Sequence, residues 1–70
     1  MEVINFEKLY SDFKNLFDLC RYTDESLKNE ILVRVSNEEI KEGSFVFRFR
    51  LVIFKFEVTN DYVEYIGYEK

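Results

Sequence analysis

Residues 44–59 read SFVFRFRLVIFKFEVT, and how this stretch is divided decides the fold. It contains no glycine, proline, asparagine or aspartate, so it carries no turn signal. Its first half places apolar side chains on odd positions, at Phe45, Phe47, Phe49, Leu51 and Ile53, with Arg48 and Arg50 between them. From Val52 the even positions take over: Val52, Phe54, Phe56 and Val58, separated by Lys55 and Glu57. Side chains alternate faces along a strand, so the apolar face changes sides near Leu51–Phe54. Taken as one long strand, Ser44–Thr59 requires a bulge or a sharp bend within Leu51–Phe54.

Downstream, Asn60-Asp61 suits a two-residue hairpin loop, because both residues tolerate positive φ. That loop sets Val58 opposite Val63 and Phe56 opposite Tyr65, and it places Glu57 against Glu64. A last strand then runs through Tyr68. Upstream, Glu30–Ser36 alternates Ile31, Val33 and Val35 with Leu32 and Arg34, the pattern of a half-buried strand. A three-residue loop at Lys41-Glu42-Gly43, with Gly43 left-handed, pairs Val35 with Phe49 and Val33 with Leu51. Tyr22–Asn29 is polar and reads as a connection. Thr23 or Asp24 is also able to cap a short helical turn through Leu27.

At the N-terminus, Phe6, Leu9, Tyr10, Phe13, Leu16, Phe17 and Cys20 recur at spacings of three and four, the apolar stripe of an amphipathic helix. Asn5 is the expected N-cap. Leu19 lies off the stripe, and Val3 and Ile4 pack beside the helix start. The expected fold is α+β, a single domain over residues 1–70. An N-terminal helix lies on a three-stranded antiparallel meander with a bent or bulged middle strand.

Eight phenylalanines and five tyrosines in 70 residues supply the burial a short chain needs. Two surfaces are expected to remain. One is aromatic: a single short helix cannot cover both apolar phases, so part of Val52, Phe54, Phe56, Tyr62, Tyr65 and Tyr68 is left for an interface. The last strand is also expected to be a sheet edge open to self-association. The other surface is basic: in the register above, Arg34, Arg48 and Arg50 share one sheet face, where their guanidinium forks suit carboxylates or phosphates.

The formal net charge is −4, which disfavours nucleic acid and suits a basic protein partner. Residues 43–49 have the aromatic and basic content of an RNA-recognition motif without its spacing, and the αβββ order differs from that fold. There is no histidine, and the two glycines stand singly, so no general acid–base centre, metal site or phosphate loop is expected. The chain therefore reads as no enzyme and as needing no cofactor. One cysteine, Cys20, expected to be buried, points to a reducing compartment. With no signal peptide or membrane-spanning run, the expected location is the cytoplasm.

The absence of alanine, proline, histidine and tryptophan, with abundant phenylalanine, isoleucine, asparagine and lysine, matches the usage of low-GC phages and mobile elements. The functional expectation is a small acidic protein-binding module. Its concrete form is a phage-type inhibitor that blocks a host or defence protein. The partner surface would be formed by Phe54, Phe56, Tyr62, Tyr65, Tyr68, Arg34, Arg48 and Arg50. The alternative is a homodimeric nucleic-acid-binding or regulatory domain that uses the arginine face.

Overall fold

A computed structural model describes residues 1–17 and 22–70. The element order is β1 (Glu2–Ile4), α1 (Phe6–Leu16), α2 (Asp24–Asn37), β2 (Gly43–Phe49), β3 (Val52–Val58) and β4 (Tyr62–Glu69). The protein is α+β, with two helices and a four-stranded mixed sheet in the order β1-β4-β3-β2. Strands β2, β3 and β4 pair antiparallel, while β1 joins β4 in parallel. No helix among the described residues is long and apolar enough to cross a membrane.

The phase change in residues 44–59 is a hairpin, not a bulge within one strand. Phe49 pairs with Val52 across a two-residue turn at Arg50-Leu51. Odd positions of β2 therefore face even positions of β3: Phe45 meets Phe56, and Phe47 meets Phe54. Both apolar phases point into one core, and all four of these rings are buried. Arg50 adopts φ 56 at the first turn position, a conformation usually left to glycine, asparagine or aspartate. Its guanidinium lies 5.3 Å from the Phe17 and Phe49 ring centroids. Such stacking is worth about 0.5–1 kcal/mol per contact, comparable with the ~1–2 kcal/mol cost of a left-handed residue. The turn is thus made without turn chemistry in the sequence, and Leu51 is left 90% exposed at its tip.

Residues 30–36, expected as a strand, belong to α2. Two local forces decide it. Thr23 and Ser26 form a reciprocal capping box: Thr23 Oγ1 accepts from the Ser26 amide at 3.1 Å, and Ser26 Oγ accepts from the Thr23 amide at 2.8 Å. Leu27, Ile31 and Val35 then recur every fourth residue and are buried, while Val33 is 53% exposed. The i, i+4 repeat overrides the alternation of β-branched residues, and an i, i+4 ion pair, Arg34 to Glu30 at 2.8 Å, supports the outer side.

The end of α2 has no helix-stopping glycine, yet it closes as a Schellman motif. The Glu39 amide donates to the Ser36 carbonyl at 3.1 Å, and the Ile40 amide donates to the Val35 carbonyl at 3.3 Å. Glu39 takes the left-handed position at φ 56. Glu39→Gly is expected to raise stability by about 0.5–1 kcal/mol, the relief of left-handed strain less the entropy glycine loses on folding. Urea denaturation checks this through an increased midpoint. Gly43 does have positive φ, 122, but it begins β2 after a helix, opposite Val58, and is not in a hairpin loop.

Helix α1 starts where expected but ends at Leu16, one residue before Phe17 of the expected stripe, which caps it in an extended conformation; Leu19 and Cys20 fall outside the described residues. Asn5 occupies the N-cap at φ 62 without a side-chain cap. Its Nδ2 instead donates to the Tyr65 carbonyl at 3.4 Å. This left-handed residue turns the chain out of β1, which pairs Val3 with Val63. The last hairpin has its expected register: Val58 opposite Val63, Phe56 opposite Tyr65 and Glu57 opposite Glu64. A shift between Lys55 and Phe56 places the irregularity in the β3–β4 ladder, with Ile66 as the extra residue. Because β1 covers its far side, β4 is an interior strand, and the edges are β1 and β2.

Both helices contribute to one apolar cluster with a single face of the sheet, including Leu9 and Phe13 from α1 and Leu27 and Ile31 from α2. Phe13 lies near its centre, with ring centroids 5.0 Å from Phe17, 5.0 Å from Phe49 and 5.3 Å from Phe54. No charged side chain is buried among the described residues.

Candidate interaction surfaces

Strand alternation assigns the sheet face away from the helices. It carries Ser44, Val46 and Arg48 from β2, and Ile53, Lys55 and Glu57 from β3. Tyr62, Glu64, Gly67 and Glu69 come from β4, with Glu2 and Ile4 from β1. Val46 and Ile66 are exposed apolar residues, at 41% and 53%. Lys55 Nζ contacts Glu69 Oε2 at 2.8 Å, and the lysine holds the Glu69 carboxyl below its ordinary pKa. Glu57 and Glu64 are directly opposed, which disfavours the pair. Glu57 accepts a hydrogen bond from Ser44 Oγ at 3.3 Å, and neither glutamate has an ion-pair partner among the described residues. Arg48 is exposed and likewise unpaired among them.

The expected partner residues are dispersed. Phe54, Phe56 and Tyr65 are buried in the core, together with Val52, so they offer nothing to a partner in this fold. The reason is the hairpin at Arg50-Leu51 and the unforeseen second helix, which together cover both apolar phases. Tyr62 is half-buried on the helix-free face. Tyr68 lies opposite Phe54 on the helix side and is 42% exposed. The three arginines do not share a face. Arg34 is on α2 with its guanidinium 4.9 Å from the Phe47 ring, Arg50 is in the turn, and Arg48 alone is on the open sheet face. The opposed Glu57–Glu64 pair was expected, but not that it lies on an open face as a candidate surface. The register that creates it was legible, but the face it lies on became clear only with both helices placed on the opposite side.

A polar cluster joins α1 to β4. The Tyr65 hydroxyl donates to Asp12 Oδ2 at 2.8 Å, and Lys8 Nζ lies 3.7 Å from the same oxygen. Burial, then the bond to the Asp12 carboxylate, pushes the Tyr65 pKa well above its ordinary value of 10.0. A raised folded-state pKa contributes stability that is fully present below the unfolded value near 10 and is lost as pH rises through the folded one. Thermal stability should therefore fall above pH ~10, and more steeply than in Tyr65→Phe, whose ring has no proton to lose. Melting curves between pH 8 and pH 12 test this; parallel curves for the two proteins would show that the bond does not persist in solution.

An open groove of about 680 Å³ lies at the N-terminal end, lined by residues 1–8 and Lys28. Its charged residues are of both signs, Glu2 and Glu7 against Lys8 and Lys28. Comparison with protein-family models, with curated proteins and with solved structures finds no match to this chain.

Proposed function

We propose that the chain is a protein-binding module that acts by occupying a basic surface of a larger protein with the helix-free face of its sheet. The observation that carries this reading is the opposed Glu57–Glu64 pair on the same sheet face as exposed Val46. Facing carboxylates without cations are held at a cost to folding, and lysines or arginines on a partner relieve that cost on binding. Apolar side chains beside them supply the desolvated centre that a protein interface needs. Blocking a host or defence protein, in the manner of a phage-type inhibitor, is the action that suits the chain's length, acidity and amino-acid usage. The nucleic-acid reading has less to draw on, because Arg34 lies on α2, Arg48 on the open face of β2 and Arg50 in the β2–β3 turn.

A photo-crosslinking amino acid placed at Tyr62 in the sheet face, or at Val33 on the outside of α2, tests this in a low-GC bacterial lysate. The Tyr62 probe should capture one basic protein, and the capture should disappear in a Glu57→Lys/Glu64→Lys background. Capture from both positions alike, or capture that survives the charge reversal, would refute the assignment of this face. Retention of nucleic acid that weakens steeply with salt would favour the alternative.

A further inference from the structure

The sheet has two edges of different character. β1 is three residues long, the kind of short edge that proteins tolerate. β2 is seven residues long, is regular throughout its pairing with β3, and has no proline, lysine or bulge to deter another strand. The two-residue turn makes Phe49–Val52 the closing hydrogen-bonded pair. Alternation then directs the peptide groups of Phe45 and Phe47 to β3, and those of Ser44, Val46 and Arg48 outward.

We infer that β2 pairs antiparallel with β2 of a second copy about a twofold axis at Val46, joining two four-stranded sheets into one continuous sheet. In this register Val46 meets Val46, and Ser44 meets Arg48 of the second copy, so every outward peptide group at these positions finds a partner. A shift that centres the axis on Arg48 opposes two arginines, and one that centres it on Ser44 leaves Arg48 beyond the overlap.

Charge complementarity selects the same register. Across the axis, Arg48 of one copy lies beside Ser44 of the other, and the next residues in that row are Glu57 and Glu64. Adjacent strands are about 4.8 Å apart, so an arginine reaching over the small serine arrives at Glu57. The exposed unpaired cation of each copy thus meets the like-charged pair of the other. The symmetry supplies this contact twice. Helices of both copies remain on one side, and the two acidic faces merge on the other. The pairing goes beyond the protein-binding role but draws on the same Glu57–Glu64 pair, and sedimentation of the purified protein reads self-pairing separately from capture of a foreign partner.

Sedimentation equilibrium across a broad protein concentration range tests the pairing. The wild-type protein should show a monomer–dimer equilibrium. Val46→Pro removes an outward amide that β3 does not use, and proline is tolerated on an edge strand in that position; it should be folded by circular dichroism and monomeric. Arg48→Glu should weaken the dimer by roughly tenfold or more, since each of two contacts turns repulsive. Adding Glu57→Arg should restore much of the affinity. A strictly monomeric wild-type protein would overturn the inference. So would a dimer unaffected by Val46→Pro, or, where that variant does not fold, a dimer indifferent to Arg48→Glu.

Discussion

Phe13→Ala is expected to leave the protein without a cooperative unfolding transition at room temperature. The Phe13 ring is fully buried and packs within about 5 Å of Phe17, Phe49 and Phe54, so it joins α1 to the β2–β3 turn region and to the centre of β3. Truncation removes the apolar area and leaves a cavity among rings too rigid to collapse into it, a loss of about 3–5 kcal/mol. A core of this size supplies roughly 3–5 kcal/mol in total. The expected observation is a flat or strongly broadened thermal transition by circular dichroism. A melting curve unchanged from wild type would contradict the packing of α1 on the sheet.

The second large effect distinguishes helix from strand in residues 30–36. Ile31 is fully buried, whereas Val33 is 53% exposed. Ile31→Ala should cost about 2–5 kcal/mol. Val33→Ala should change stability by no more than about 0.5 kcal/mol, and in the stabilising direction, because alanine is the better helix former. Side chains two apart share a face in a strand but lie about 200° apart around a helix. Comparable losses for the two variants in urea denaturation would therefore restore the strand reading and contradict α2.

The two halves of the chain differ in how plainly they announce themselves. The turn end of the last hairpin, as far as Phe56 opposite Tyr65, was legible, because Asn60-Asp61 is turn chemistry and the alternation on each side admits one register; the bulge beyond it was not. Helix α1 was legible because its apolar stripe repeats without competing signals. The β2–β3 turn was hidden. Arg50-Leu51 has no turn propensity, and the left-handed arginine is stabilised by Phe17 and Phe49, a tertiary contact that no local reading contains. The phase change was the visible trace of that turn, since a two-residue turn pairs odd with even positions. Helix α2 was obscured because Ile31, Val33 and Val35 satisfy an alternating pattern while Leu27, Ile31 and Val35 satisfy a helical one. The Thr23 cap tips the balance, although the local signal alone carries the helix only as far as Leu27. β1 is too short to show any periodicity, and it pairs with a strand at the far end of the chain. These misreadings moved the expected surface: aromatic rings thought to be left over lie in the core, and what remains outside is acidic with scattered aliphatic residues.

The hairpin at Arg50-Leu51 is the point on which the core, the free face and the free edge all depend. Val46 and Lys55 form a directly opposed pair across it. By alternation from the closing pair they are not hydrogen-bonded to each other, which places their Cα atoms about 4.5 Å apart. In one continuous strand the nine intervening steps would separate them by roughly 30 Å. A nuclear Overhauser spectrum of the dilute, monomeric protein should show a strong cross-peak between the α-protons of Val46 and Lys55. Its absence, with sequential contacts running unbroken in extended geometry from Phe49 through Val52, would contradict the fold.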